Sequence, residues 1–172
     1  MAADEARQLL SWLPRLRRYA RALAGNNGSI SDADDLVQDT LERAWAKAAL
    51  WPGVGDMRAW LFGIMHNLHV DGLRRPRLPT ESLGEDTPEI PMPPAQDEGL
   101  ALLDLQAALD LLPREQKEVL LLVSLEEMSY AEVARTLDIP MGTVMSRLSR
   151  GRERLRGLLA GRAEPVHLKV VK

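Results

Sequence analysis

SYAEVARTLDIPMGTVMSRLSRGRERL, residues 129–155 of a 172-residue chain, reads as a short helix, a tight turn and a longer arginine-rich helix. Ser129 stands at an N-cap position with Glu132 three residues on, a spacing in which two side chains satisfy free backbone amides at a helix start. The first helix runs from Tyr130 to Leu137, and Val133, Ala134 and Leu137 give it an apolar stripe. The turn falls at Asp138 to Pro140, because proline cannot continue one helix but can open the next. A second helix then starts near Gly142 and Thr143. On a wheel of about 3.6 residues per turn, Val144, Leu148, Gly151, Leu155 and Leu158 share one face, while Gly142, Ser146, Ser149, Arg150 and Glu153 fall opposite. A buried stripe backed by a small, polar and basic face is the pattern of a DNA-reading helix-turn-helix.

Charge supports that reading through its distribution. The whole chain carries a formal net charge of -3, which argues against a protein that simply coats nucleic acid. From Met141 to Arg162, however, there are six arginines against one acid, Glu153. From Pro76 to Leu112 there is one arginine against eight acids. The first segment attracts phosphates and the second repels them.

Composition bounds the remainder. There are no cysteines, so the chain can form neither disulfides nor a thiolate metal site, and three histidines without a second ligand cluster point to no metal cofactor. His66 and His69 lie three apart on an expected helix, a spacing that can form a metal pair, and read first as two partly exposed helical side chains. No apolar run is long enough to span a bilayer, which with the acidic N-terminus leads us to expect a cytoplasmic protein without membrane insertion. There is no phosphate-cradling glycine loop and no nucleophile motif, so neither an enzyme nor a small-molecule substrate is expected.

Strand signals are nearly absent. Helical periodicity recurs at about residues 4–24, 31–49, 56–75 and 98–124, the last broken at Pro113, and the expected fold class is all-α. Six prolines among acids and small residues between Arg75 and Glu98 lack the apolar surface to fold and read as a flexible linker. The expected organisation is therefore a helical domain over 1–75, a linker over 76–97 and a second helical domain over 98–172, with a short C-terminal tail.

Within the first domain, DADDLVQDTLERAW (32–45) places Val37, Leu41, Ala44 and Ala48 on a buried stripe and Asp35, Gln38, Asp39 and Glu42 opposite. Next comes WPGVGDMRAWLFGIMHNLHVDGLRR (51–75), a loop leading into a helix on which Asn67, Asp71 and Arg74 share one side. Trp60, Leu61, Ile64 and Leu68 read as core, and Trp51, on the loop, has the better claim to exposure.

DADDLVQDTLERAW, then RAWLFGIMHNLHVDGLRR, then a linker, then LPREQKEVLLLVSLEEMSYAEVARTLDIPMGTVMSRLSRGRERLR resemble, in order, the sequence blocks of the extracytoplasmic-function sigma factors of bacterial RNA polymerase. The resemblance covers nearly all of both expected domains. It implies a first domain that binds the polymerase clamp and the minus-10 promoter element, and a second that reads the minus-35 element. Asp35, Gln38 and Asp39 match the family's surface for the coiled-coil helices of the largest polymerase subunit. The loop from Ala48 to Arg58, with Trp51, matches the segment that captures a flipped minus-10 base, and Asn67, Arg74 and Arg75 match the promoter-melting helix. Thr143, Met145, Ser146, Ser149 and Arg150 match positions on the minus-35 recognition helix, with Arg147 and Arg154 gripping phosphates or bracing it. Met145 departs from the family, in which lysine or arginine is frequent there; the residue leaves either a thymine methyl contact or a weaker element. The implied partners are bacterial core RNA polymerase, promoter DNA and an anti-sigma factor. The alternative reading is a stand-alone helix-turn-helix regulator, which would bind duplex promoters without polymerase.

Overall fold

The computed structural model describes residues 3–25, 30–47, 56–74 and 97–162. Eight helices occupy them in chain order: α1 (Ala3–Ser11), α2 (Leu13–Ala24), α3 (Ile30–Ala46), α4 (Met57–Arg74), α5 (Asp97–Asp110), α6 (Arg114–Ser124), α7 (Tyr130–Leu137) and α8 (Met141–Arg162). No strand occurs among the described residues. The expected linker lies outside them except at Asp97, which already belongs to α5.

One expected helix proves to be two. The periodicity over 4–24 is interrupted at Trp12, after which α2 begins with Pro14 in its first turn. Proline lacks an amide hydrogen and its ring clashes with the preceding turn, so it is tolerated where a helix opens and not where it continues. The other boundaries follow local chemistry. Pro113 separates α5 from α6, and α7 has its full capping box: Ser129 Oγ accepts from the Glu132 amide at 3.3 Å and Glu132 Oε2 accepts from the Ser129 amide at 2.6 Å. Asp138 ends α7 in the left-handed region at φ 52°, a conformation that short polar side chains tolerate.

The buried side chains form one continuous cluster across both halves of the chain. Leu16 and Tyr19 of α2, Val37 of α3, and Leu61, Phe62 and Met65 of α4 join Val119 and Leu122 of α6, Val133 of α7 and Val144 of α8. At its centre the Tyr19 and Phe62 rings meet edge to face, with centroids 5.0 Å apart. That geometry sets the positive edge of one ring against the negative face of the other. Two glycines permit close approach between the halves. Gly25 caps α2 at φ 68°, and a Cβ there would lie 2.0 Å from Asp110 Oδ1. Gly63 brings α4 against the Thr136 carbonyl of α7, where a Cβ would stand at 3.4 Å.

Polar contacts tie the halves together around this core. Glu126, between α6 and α7, has no solvent exposure. Its carboxylate accepts from Arg15 Nε at 2.9 Å and from Arg18 Nη2 at 3.1 Å, both on α2. Arg58 of α4 donates to the Glu126 carbonyl at 3.2 Å and pairs with the Glu132 carboxylate. His66 Nδ1 lies 3.2 Å from the buried Glu118 carboxylate. Lys117 Nζ donates to the Leu23 carbonyl at 3.0 Å, at the end of α2, and to Asp110 at 2.8 Å.

Two expectations can be measured. Phe62→Ala removes a fully buried ring and its edge contact to Tyr19, and should lower unfolding stability by about 3–5 kcal/mol in chemical denaturation. The Glu132 carboxyl is held at about 2, below its ordinary 4.5, by hydrogen bonds from the Ser129 hydroxyl and amide, with Arg58 adding to them. A lowered folded-state value contributes stability above the ordinary value, and that contribution is lost as pH falls. The thermal midpoints of wild type and Glu132→Gln should therefore differ near neutrality and converge between pH 4.5 and about 2.

Candidate nucleic-acid interface

The recognition surface begins with the burial of α8. Val144 and Leu148 are buried beneath it, Gly151 is also buried, and Leu155 and Leu158 pack against the same core. This fixes the helix's rotation and turns Gly142, Ser149, Arg150 and Glu153 outward, all of them exposed. Ser146 is half-buried, and its hydroxyl donates to the Thr143 carbonyl at 3.1 Å, one turn back on the helix. Thr143 and Arg147 are also half-buried, whereas Arg150, Arg152, Arg154 and Arg156 are exposed. The second helix of the motif thus offers solvent several guanidinium groups and one acid. Guanidinium groups grip phosphates and can donate two parallel bonds to a guanine edge.

Met141 and Met145 project from the same end of α8, with 51% and 53% of their surface exposed. They lie four residues apart and so neighbour each other on the helix surface.

On α3, the burial of Ala33, Val37 and Ala44 turns Asp35, Gln38, Asp39 and Glu42 to solvent, with Gln38 Nε2 donating to Glu42 Oε1 at 2.9 Å. Trp45 stands one turn beyond, on the same side as Gln38 and Glu42, and is 56% exposed. Sequence reasoning gave it no role. The available signal was its position three residues after Glu42, on the continuation of the acidic face. An open groove with Leu36, Leu68 and Leu73 among its lining residues runs beside Asp35 and Asp39.

Of the residues expected to meet the minus-10 element, Asn67 and Arg58 are not brought to one surface. Asn67 is exposed on α4. Arg58 lies nine residues earlier, which is half a turn away around the helix axis, and its guanidinium faces Glu132 and Glu126 of the second half. Arg74 is the last residue of α4. Trp51 and Arg75 lie outside the described residues. His66 and His69 are half-buried, with His66 against Glu118, and burial pushes the His69 imidazole below its usual range. Among the described residues, no group of three or more histidines and carboxylates is arranged to hold a metal ion. None of the described helices is long and apolar enough to cross a membrane.

Comparisons with known proteins agree with this geometry. Residues 9–66 match the family described as the Sigma2 domain of PhyR, and residues 102–155 match Sigma-70, region 4. The chain is 37% identical over 152 residues to the ECF RNA polymerase sigma factor EcfG of Rhodopseudomonas palustris, covering 88% of this chain and 82% of that protein. It is 38% identical over 152 residues to the ECF RNA polymerase sigma factor SigE of Mycolicibacterium smegmatis, covering 85% of this chain and 58% of that relative. In structure it is similar to the sigma factor RpoE of Bartonella quintana, solved in complex with the anti-sigma factor NepR. That match has a TM-score of 0.76 and 35% identity, over 95% of this chain and all of RpoE. With one family match in each half and 37% identity to EcfG over most of both proteins, the chain belongs to the extracytoplasmic-function sigma factors of RNA polymerase.

Proposed function

We propose that this chain binds bacterial core RNA polymerase in the cytoplasm, carries it to promoters through minus-10 and minus-35 elements, and helps to melt them. The reading assigns the first half, 1–75, to the polymerase clamp and the minus-10 element, the segment 76–97 to a flexible connection, and 98–172 to the minus-35 element. What carries it is the pairing of two exposed surfaces of opposite charge on one small body: the acidic face of α3 and the arginine-rich face of α8. The acidic face repels DNA and suits a basic protein partner, while α8 suits phosphates and base edges. A net charge of -3 keeps autonomous duplex binding weak, so delivery by polymerase supplies what the helix alone does not.

Asp35, Gln38 and Asp39 form the polymerase contact in this reading. Trp51, Asn67, Arg74 and Arg75 hold the separated minus-10 strand, and Thr143, Met145, Ser146, Arg147, Ser149, Arg150 and Arg154 serve the minus-35 element. Arg58 belongs to the minus-10 set only after it leaves Glu132, so its use on DNA and its pairing with Glu132 exclude each other. Extruding a base from the stack costs a few kcal/mol. Strand capture by an aromatic and nearby cations offsets that cost, and melting is driven by binding without any catalysis by the chain. An anti-sigma factor, of the kind seen bound to RpoE, holds the protein inactive until it is released.

Reversing the charges in Asp35→Arg with Asp39→Arg should abolish co-purification with core polymerase while leaving the thermal midpoint nearly unchanged, since both side chains are exposed. An unchanged yield of complex sinks the clamp assignment. Arg150→Ala should leave core affinity intact and reduce initiation from the cognate promoter about tenfold, the loss expected for one bidentate guanine contact. Equal transcript yields from both proteins remove Arg150 from the reading set.

A further inference from the structure

We propose that Met141 and Met145 form an apolar reading ridge that selects thymine, through its 5-methyl group, in the minus-35 element. The proposal rests on the assignment of α8 to that element and extends it to a residue-level specificity.

Met141 and Met145 are the exposed large apolar side chains of α8. Val144 and Leu148 of this helix are buried, Leu155 and Leu158 pack against the core, and Leu159 is half-buried. The two methionines have therefore been left on the surface in a helix whose remaining exposed positions are small, polar or charged. They lie at its N-terminal end. In a helix-turn-helix, that end of the second helix approaches the base edges of the major groove. Their neighbours limit what else the ridge can meet. Arg152 follows on the same flank, and Ser149 and Arg150 complete the exposed turn behind them, so the surroundings attract a polyanion.

A thioether side chain donates no hydrogen bond to the guanine O6 and N7 acceptors, and it accepts only weakly from cytosine or adenine amines. The one apolar group displayed in the major groove is the thymine methyl. Methionine is unbranched and polarizable, so it can shape itself around that methyl. Two methionines four apart span one helical turn, about 5–6 Å between their Cβ atoms. That reaches one thymine or two on successive base pairs.

The test uses the full chain with core polymerase and a promoter library randomised over the minus-35 window. Transcripts made by wild type should enrich thymine at one or two positions. The selected promoter is then remade with deoxyuridine at each thymine, which removes only the methyl. Initiation by wild type should fall about three- to fivefold at the ridge position, the loss expected for one methyl-sized group returned to water. Met141→Ala with Met145→Ala should initiate equally on both templates, whereas Met145→Leu, which keeps an apolar side chain, should retain the preference. The proposal is overturned if no thymine is enriched, if uracil serves wild type as well as thymine, or if the double alanine protein still discriminates. Absence of any library-directed transcript overturns the sigma reading itself, and the ridge with it. A library that supports initiation without a thymine preference removes the ridge alone.

Discussion

The carboxylate of Glu126 governs how this molecule is put together. A fully buried carboxylate is costly unless it is paired and hydrogen-bonded. Here its two oxygens are taken by Arg15 and Arg18, from a helix more than a hundred residues away in sequence. Both arginines keep part of their side chains in water, so neither bears the full penalty of burial. The backbone around Glu126 is used too: Arg18 reaches the Leu125 carbonyl, and Arg15 and Arg58 reach that of Glu126. Three cations from the first half thus converge on the short segment between α6 and α7, directly ahead of the helix-turn-helix.

The character of this junction has consequences for what the halves can do. Glu118, Glu126 and Lys117 are buried where the halves meet, each with a partner or carbonyl across the contact. Buried ion pairs fix register more than they add stability, because each ion regains its hydration when the contact opens. Interfaces inside a chain that are rich in such groups separate more readily than purely apolar ones. The Tyr19 and Phe62 pair and the aliphatic cluster supply the non-directional cohesion, while the charged contacts choose one arrangement among those that grease alone would allow. Arg58 is the residue where this matters most. Its guanidinium pairs with Glu132, the same acid that completes the α7 capping box, so one carboxylate serves both the start of the motif and its attachment to α4.

Much of the candidate site was legible because periodicity states which face of a helix is buried. Val144, Leu148 and Gly151 define the core side of α8 and leave Ser149 and Arg150 outward by subtraction. Val37 and Ala44 do the same for Asp35, Gln38 and Asp39 on α3. The Ser129 and Glu132 spacing located the start of α7 to the residue. Less was legible where the pattern has no partner written into it. Trp12 and Pro14 sit inside an unbroken apolar rhythm, and the rhythm concealed the break between α1 and α2. Trp45 reads as the end of a helix, and its exposure depends on nothing in the described body covering it.

Local chemistry in the chain itself determined an all-α protein, a capped helix-turn-helix, an acidic outward face on α3 and a basic one on α8. Those features follow from interactions within a few residues, caps, proline geometry and side chains recurring at the helical period, and such interactions are present in the sequence before any packing occurs. Only the tertiary structure decided that Glu126, one of two adjacent acids in LEEMS, is buried while Glu127 is exposed, and that Arg58 faces α7 and not the side of Asn67. The physical reason is that a charge's environment is set by what packs over it. Arg15, Arg18 and Arg58 reach Glu126 and Glu132 across 68 to 111 residues of chain, a distance no local pattern encodes.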